Sequence, residues 1–269
     1  MLHHKVVIIT GASSGIGKAC AEKFGNKGAK LVITGRNEAN LQETAKWLTK
    51  KGIDVLAVKS DVAIKEDCKR IIDETIVKYG QVDVLINNAG ISMRALLNDA
   101  DLSVIEQVMQ TNFYGTLYCT KYALPHLLKT KGSVVGISSI AGYIGLPART
   151  GYSASKFAMQ GFLEALRTEN LNNGLHVMIA CPGFTASNIR NTALSANGNA
   201  QGESPRKEDK MMTAEEVAEH IYNGVINRNR TLVLTTEGKL AVFLSKFFPK
   251  FIAKMVFNKM AKEPNSPVR

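Results

Sequence analysis

A tyrosine and a lysine stand four positions apart in Tyr152-Ser-Ala-Ser-Lys156, and this spacing suits proton transfer. Residues i and i+4 share one face of a helix, so the lysine ammonium would lie beside the phenol. A free tyrosine has a pKa of about 10 and is a poor acid or base near neutral pH. A neighbouring cation favours the phenolate and lowers that pKa toward the working range. Taken alone, such a pair is more often a packed tyrosine beneath a surface lysine, so the rest of the chain has to decide.

A glycine-rich turn lies near the amino terminus, between a predicted strand and a predicted helix. The apolar run 5–10 is followed by Gly11-Ala-Ser-Ser-Gly-Ile-Gly17, and a helical pattern begins directly after it. Backbone N–H groups in such a turn can approach a phosphate, and the helix N-terminus adds a favourable partial charge. The spacing is G-x-x-x-G-x-G rather than G-x-G-x-x-G, so this motif by itself indicates only a tight turn.

Four further motifs follow in order along the chain: Asn87-Asn-Ala-Gly90, Asn112, Ser139 and Pro182-Gly183. Together with the glycine-rich turn and the Tyr152/Lys156 pair, they resemble the short-chain dehydrogenase/reductase family, whose motifs include TGxxxGxG and YxxxK. Several independent elements in family order are far more specific than any one of them.

Apolar runs alternate with amphipathic segments of helical length along the whole chain. Strands are predicted at about 5–10, 30–34, 53–58, 82–86, 133–138, 175–181 and 231–235. Helices are predicted at about 15–27, 38–51, 65–79, 101–130 with a break near Asn112, 151–172 and 213–227. Strands that are apolar throughout indicate an α/β fold whose parallel sheet is covered on both faces. The crossover rule makes this a doubly wound Rossmann sheet of about seven strands, in a single domain over residues 1–269.

The motifs are expected to form one site, because ligands bind such sheets at the carboxyl ends of the strands. Each motif follows a predicted strand. In chain order these are the glycine-rich turn, Arg36, Asp61, Asn88, Ser139 and Pro182.

The resemblance implies hydride transfer between a nicotinamide cofactor and a carbonyl/alcohol pair. Tyr152 would exchange a proton with the substrate oxygen, and Ser139 would hold that oxygen as its charge changes. Lys156 would lower the pKa of Tyr152 and bond the nicotinamide ribose. Asn112 matches the family asparagine that holds a helix kink and a water leading to Lys156. The cofactor carries the hydride chemistry, and we expect no metal.

The end of the second predicted strand bears on the choice of cofactor. An acidic residue there would bond the adenosine ribose and repel a 2′-phosphate, but this chain has Gly35 followed by Arg36. A guanidinium can hold a phosphate with two hydrogen bonds, so we expect NADP(H) rather than NAD(H). Some NADP-preferring relatives carry a basic residue where this chain has Ser14, which leaves the strictness of the preference open. The alternative is that Arg36 is only a solvated turn residue.

The remaining cofactor contacts are carried over from the family by position. Asp61 matches the residue at the adenine amino group, and Asn88 borders the adenosine ribose. Either Thr185 or Ser187 would contact the carboxamide. The whole expected set is Gly11, Ser13, Ser14, Gly15, Ile16, Gly17, Arg36, Asp61, Val62, Asn88, Ala89, Gly90, Tyr152, Lys156, Pro182, Gly183, Thr185 and Ser187.

Composition limits the remaining possibilities. The chain has no linker or repeat, and its first residues enter a strand at once, so we expect no signal peptide and a cytoplasmic location. Four scattered cysteines fit reduced, buried side chains better than a disulfide frame or a zinc site. The formal charge is +11, and six of the lysines lie in residues 239–262, a stretch that contains no acidic residue. These lysines belong to no recognised nucleic-acid module, so no nucleic-acid partner is expected.

Two stretches depart from the alternation of strands and helices. The polar segment 184–212 matches the position of the family's substrate loop and is predicted to be a lid. With 91–97 and 140–149 it would form the pocket walls. The basic, apolar extension 239–269 has uncharged runs too short to cross a bilayer. A helix from 239–262 would either lie on a membrane surface or pack against the pocket or a partner subunit, with five residues on one apolar face. They are Phe251, Ile252, Met255, Val256 and Met260.

We therefore expect an NADP(H)-dependent oxidoreductase for an apolar carbonyl or secondary alcohol of steroid-, lipid- or 3-oxoacyl-like type. By resemblance it would work as a homodimer or homotetramer. The alternative is a nucleotide-binding regulatory protein that keeps the fold with little turnover, but the intact set Asn112, Ser139, Tyr152 and Lys156 argues for the enzyme.

Overall fold

The computed structural model describes residues 2–185, 188–202, 204 and 211–269 of the 269-residue chain. Within these residues seven strands form one parallel sheet: β1 Val6–Ile9, β2 Lys30–Gly35, β3 Val55–Lys59, β4 Val84–Asn87, β5 Ser133–Ile137, β6 His176–Cys181 and β7 Thr231–Val233. Their spatial order is β3-β2-β1-β4-β5-β6-β7. The predicted doubly wound Rossmann sheet is confirmed, with strand boundaries that differ from the predicted ones by at most two residues.

Helices cover both faces of this sheet. They are α1 Gly15–Gly25, α2 Glu38–Lys50, α3 Lys65–Tyr79, α4 Leu102–Met109, α5 Gly115–Thr130, α6 Thr150–Glu169, α7 Ala214–Ile226, α8 Thr236–Ser245 and α9 Pro249–Ala261. One apolar core joins α1, α2 and α7 to the sheet, and a second core joins α3, α5 and α6 to its other face. This explains why β1 is apolar along its whole length, since none of its side chains meets water.

The strand order reverses between β1 and β4. Ile9 of β1 pairs with Ile33 of β2 on one side and with Ile86 of β4 on the other. The chain then winds outward from this pair of strands in both directions. The reversal opens a crevice at their carboxyl ends, where the glycine-rich turn and Asn88 both lie.

The break predicted near Asn112 is a single π-helical turn, Gln110–Tyr114, which connects α4 to α5 without interrupting the helical path. Asn112 is fully buried within it. One extra residue in a turn redirects a side chain, and such turns are frequent at functional sites.

The segment predicted as a lid packs on the domain where it is described. Leu194 forms a bridge with Met93 and is buried in the apolar cluster beneath α4. Thr185 forms a bridge with Met212. The four cysteines are free and buried, as expected.

The carboxyl-terminal extension forms α8 and α9, and the single apolar face predicted there is wrong. Ile252, Val256 and Met260, spaced four residues apart, are buried against the loop that precedes α6. Phe251 and Met255 point outward and are 64% and 39% exposed. The buried positions on α9 therefore recur every four residues, and Phe251 and Met255 lie outside them. In the described part of the chain, no helix combines the length and apolarity that crossing a membrane requires.

Candidate active site

The glycine-rich turn after β1 is bonded to the loop after β4. The Asn88 side chain donates from Nδ2 to the carbonyl oxygens of Thr10 and Gly11, both at 2.9 Å. Thr10 Oγ1 accepts from the backbone N–H groups of Asn88 and Ala89, both at 3.0 Å. Gly11 has a φ of +64°, and a Cβ at this position would lie 2.8 Å from Ala89 Cα. Only glycine lets the two loops approach this closely.

The turn leads directly into α1 and leaves the N-terminus of that helix facing a cleft. Ser14 precedes the helix without capping it through its side chain, and the first turn holds no acidic residue. A Cβ on Gly17 would lie 2.4 Å from the carbonyl oxygen of Gly11, so the turn has no room for a larger residue. Uncapped N–H groups and an open helix N-terminus fit the phosphates of a dinucleotide cofactor.

A cavity of about 800 Å³ runs along the carboxyl edge of the sheet. It brings together most of the residues predicted from the sequence: Gly11, Ser13, Ser14, Gly15, Ile16, Arg36, Asp61, Val62, Asn88, Ala89, Gly90, Ser139, Tyr152, Lys156, Pro182, Gly183 and Thr185. Gly17 and Asn112 lie behind its wall, and Ser187 falls outside the described residues. Its size is in the range typical of sites for small molecules and cofactors.

Asn112 and Lys156 meet behind Gly90. A Cβ built on Gly90 would lie 3.2 Å from Asn112 Oδ1 and 3.5 Å from Lys156 Nζ. The Asn112 side chain accepts from the Ile91 N–H at 2.8 Å and donates to the Ile91 carbonyl and to Ser155 Oγ, both at 2.9 Å. The π-helical turn therefore ties the loop after β4 to the helix that carries Lys156.

Tyr152 and Lys156 share one face of α6, as the spacing predicts, and Lys156 Nζ lies 5.6 Å from the tyrosine ring centroid. Burial raises the pKa of Tyr152, while its hydrogen bond with Ser139 and the charge of Arg149 act in the opposite direction. The net pKa is raised rather than lowered toward neutrality. The phenol is therefore protonated at neutral pH and able to donate.

Lys156 does not bond the phenol directly. Its ammonium donates to the Ile137 carbonyl at 2.8 Å, and burial lowers the pKa of Lys156 to about 8. It is positively charged at neutral pH and loses that charge under mildly alkaline conditions. Ser139, at the end of β5, is held by the N–H of Ala141, which donates to its Oγ at 3.2 Å.

The nucleotide end of the cavity is formed by the residues after β2 and β3. Arg36 is exposed and lines the cavity beside Gly35 and Ser13. Asp61 is oriented by its own loop, since Oδ1 accepts from the Ala63 N–H at 3.0 Å. Among the described residues, no group of His, Cys, Asp and Glu side chains is arranged to hold a metal ion.

The sequence did not single out three residues at the other end of the cavity: Arg149, Met260 and Glu263. Arg149 lies at the end of a predicted pocket wall, but its spacing from Tyr152 matches no recognised motif. Met260 was assigned only to the apolar face of a surface helix. The one available signal was Glu263, the first acidic residue after the lysine-rich stretch 239–262.

The chain matches the sequence model of the family described as short chain dehydrogenase over residues 5–198. It is 34% identical over 271 aligned positions to the Mus musculus protein named Dehydrogenase/reductase SDR family member 7B, covering 98% of this chain and 84% of that protein. It is 38% identical over 251 positions to the Arabidopsis thaliana protein named 11-beta-hydroxysteroid dehydrogenase-like 4A, covering 92% of this chain and 82% of that protein.

The fold matches a solved structure described as a short chain dehydrogenase/reductase from Burkholderia phymatum in complex with NAD. The TM-score is 0.83 at 25% identity, covering 93% of this chain and 95% of the other. An archaeal alcohol dehydrogenase from Thermococcus sibiricus, complexed with 5-hydroxy-NADP, shares the fold with a TM-score of 0.76 at 23% identity, covering 86% of this chain and 96% of the other. This chain belongs to the short-chain dehydrogenase/reductase family of oxidoreductases, which bind nicotinamide cofactors.

Proposed function

We propose that this protein is an NADP(H)-dependent oxidoreductase that interconverts a carbonyl and a secondary alcohol on an apolar substrate. The observation that carries the proposal is the convergence of Ser139, Tyr152 and Lys156 with the glycine-rich turn in one cavity. A chain that kept the fold only to bind nucleotide would need the turn and Lys156, but it would have no need for Ser139 beside the Tyr152 phenol.

In this proposal the bound nicotinamide cofactor supplies or accepts the hydride, and the protein handles the proton and the position. During reduction, Tyr152 donates its proton to the substrate oxygen, and Ser139 donates a hydrogen bond to the same oxygen. Lys156, charged below its pKa of about 8, stabilises the phenolate that remains. The raised pKa of Tyr152 keeps the phenol protonated and favours reduction near neutral pH. The rate of alcohol oxidation should rise as the phenol ionises at higher pH.

The choice of NADP(H) is supported by Arg36 and Gly35. Arg36 adds a positive charge to the nucleotide end of the cavity, and Gly35 leaves that end without the carboxylate that repels a 2′-phosphate. An apolar substrate is supported by Leu146, Phe184 and Met260, which line the other end. The hydroxysteroid dehydrogenase-like name of the Arabidopsis relative is consistent with a steroid-, lipid- or 3-oxoacyl-like compound.

We expect the purified protein to oxidise NADPH when given apolar ketones such as a steroid ketone or a medium-chain 3-oxoacyl thioester. Polar sugars of similar reactivity should be poor substrates, because the substrate end buries apolar side chains. The measurement is NADPH absorbance across this panel, with nucleotide binding measured separately by calorimetry. Tight binding without turnover on any carbonyl would instead favour the nucleotide-binding regulatory protein.

We further propose a homodimer or homotetramer that pairs through α5 and α6. Tyr114, the last residue of the π-helical turn before α5, and Phe157 on α6 are exposed although both are large apolar residues. Gly161 lies one turn beyond Phe157, and a Cβ there would meet nothing within 4 Å. A second copy packed on this face would cover both aromatic rings, which suits a two-fold contact.

The outer face of α8 and α9 supports a peripheral membrane contact. Five large apolar side chains on it are each more than half exposed: Leu240, Phe243, Phe247, Phe248 and Phe251. We call these five residues the aromatic patch. Lys246, Lys250 and Lys254 are exposed among them. Phe184 lies between the cavity and α9, since it lines the cavity and Lys259 of α9 lies 5.4 Å from its ring centroid. We propose that an anionic bilayer covers the aromatic patch and delivers apolar substrate to the cavity.

We expect the protein to co-sediment with vesicles that contain anionic lipid, and to do so less as salt rises. Each lysine near the surface would contribute about 1 kcal/mol, and this part is screened by salt. A variant with Phe247→Ser, Phe248→Ser and Phe251→Ser should lose most binding and keep its fold, because these side chains are exposed.

The matched control changes Val77→Ser and Leu171→Ser, two exposed apolar residues outside the aromatic patch. It should bind vesicles as the wild type does. Equal binding by both variants, or no vesicle binding by the wild type, would exclude the membrane contact. A chain that ends at Gly238 should be unstable in either case, because the inner face of α9 packs on the pocket loop.

A further inference from the structure

A buried ion pair ties the end of the chain to the start of the catalytic helix. Arg149 Nη2 lies 2.7 Å from Glu263 Oε2, and the two side chains are 14% and 4% exposed. Arg149 immediately precedes α6, three residues before Tyr152, while Glu263 follows α9. The pair joins positions that are 114 residues apart in the sequence.

A second arginine approaches the same carboxylate. Arg94 Nε, from the loop after β4, lies 3.7 Å from Glu263 Oε2, and its guanidinium donates to the Pro264 carbonyl. Gln201 Nε2 donates to the Arg94 carbonyl at 3.1 Å. The loops that carry Arg94 and Arg149 therefore meet at Glu263, with two positive charges and one negative charge.

The pair belongs to the cavity wall. Arg149 and Glu263 both line the cavity together with Tyr152, Leu146 and Met260. Arg149 Nη1 also lies 3.4 Å from the Met260 sulfur. The nucleotide end is separate from this wall, because Arg36 follows β2 whereas Arg149 and Tyr152 follow β5, and the strands β1 and β4 lie between β2 and β5.

We propose that Arg149 and Glu263 are a positioning pair for the reaction. Glu263 holds the Arg149 guanidinium in the cavity wall that Tyr152 also lines, and it makes the carboxyl-terminal segment part of the substrate site. This inference rests on the proposed function, since it concerns how Tyr152 transfers its proton and how the substrate is enclosed. The interaction is electrostatic, and it acts through the Tyr152 phenol.

The charges near Tyr152 predict the sign of each change. The Arg149 guanidinium lowers the pKa of Tyr152, opposing the larger effect of burial, and Glu263 partly neutralises that guanidinium. Lys156 Nζ on α6 lies 5.6 Å from the Tyr152 ring centroid, Cys181 at the end of β6 raises the pKa of Tyr152, and Arg94 faces Glu263. Removing the Glu263 charge should therefore make Tyr152 more acidic, and removing the Arg149 charge should make it less acidic.

The test titrates Tyr152 directly, in protein that holds neither cofactor nor substrate. Ring-labelled tyrosine is observed by ¹³C NMR, and the Tyr152 signal is assigned by its loss in Tyr152→Phe. Glu263→Gln should move the midpoint to lower pH, Arg149→Gln should move it to higher pH, and Arg149→Lys should retain the wild-type value. The pH profile of ketone reduction should shift in the same directions. Glu263→Gln should also raise KM for the ketone while leaving the NADPH dissociation constant unchanged.

Glu237→Gln is the matched control, because it makes the same substitution on α8 at an ion pair with Lys259 that faces solvent. It should move neither the midpoint nor KM. Unchanged midpoints in Glu263→Gln and Arg149→Gln, or shifts in the same direction, would overturn the proposal. If one of these variants does not fold, the other is compared with Arg149→Lys, and equal midpoints overturn it likewise. A wild type without turnover would contradict the proposed function alone, since the NMR titration remains readable.

Discussion

Tyr152→Phe is expected to lower kcat for carbonyl reduction by about 10²–10⁴-fold, the usual contribution of a positioned acid. Phenylalanine keeps the ring in the cavity wall and removes only the proton that the substrate oxygen receives. The dissociation constant for NADPH should stay close to that of the wild type, because the glycine-rich turn and Arg36 are unchanged. Single-turnover rates and calorimetric nucleotide binding measure the two effects separately.

Tyr222→Phe is the control for this experiment. Tyr222 lies on α7, where its ring packs against Phe24 at a centroid distance of 5.4 Å, away from the cavity. The Tyr222→Phe variant should retain wild-type turnover and NADPH binding. Comparable rates for Tyr152→Phe and the wild type would remove Tyr152 from the mechanism, whereas loss of both turnover and nucleotide binding would indicate a folding defect.

Arg36→Ala is expected to weaken NADPH binding far more than NADH binding. A hydrogen bond to a charged group contributes roughly 1.5–3 kcal/mol, which corresponds to about a ten- to hundredfold change in affinity. NADH has no 2′-phosphate, so its affinity should fall only slightly in this variant. Calorimetric titration of both nucleotides against wild type and variant gives the ratio directly.

Two further variants test whether the preference for NADPH depends specifically on Arg36. Lys46→Ala removes one positive charge from an exposed position on α2 that does not line the cavity, and it should preserve the preference. Gly35→Asp should reverse the preference toward NADH by placing a carboxylate beside Arg36. A Cβ at Gly35 would lie 3.2 Å from Ser13 Oγ, so a small shift of that hydroxyl admits the side chain. Equal losses for both nucleotides in Arg36→Ala, or a wild type that prefers NADH, would contradict the assignment.

Features that depend on neighbouring residues could be predicted from the sequence alone. Runs such as Val6–Ile9 are apolar on both faces, and this pattern already requires a sheet covered by helices on both sides. The glycine-rich turn is set between one strand and the next helix by adjacent residues. Because the carboxyl ends of parallel strands lie along one edge, the order of the motifs also predicted a single site.

Features that depend on distant residues were decided by the tertiary structure. Asn112 was expected at a helix break, but its bonds to Ile91 and Ser155 stabilise a π-helical turn instead. The four-residue spacing correctly brought Lys156 close to Tyr152. It did not reveal the burial that raises the pKa of the phenol, because burial is the sum of everything packed around the ring.

The carboxyl-terminal extension shows most clearly what the sequence alone does not predict. Its sequence allowed a membrane surface helix or a helix packed on the pocket, and a helical pattern alone does not say which side meets the domain. The cluster around the loop before α6 buries Ile252, Val256 and Met260 of α9, whereas the aromatic side chains of the extension are exposed. Glu263 reaches Arg149 only because α9 returns to the loop before α6, and no local spacing encodes a contact across 114 residues.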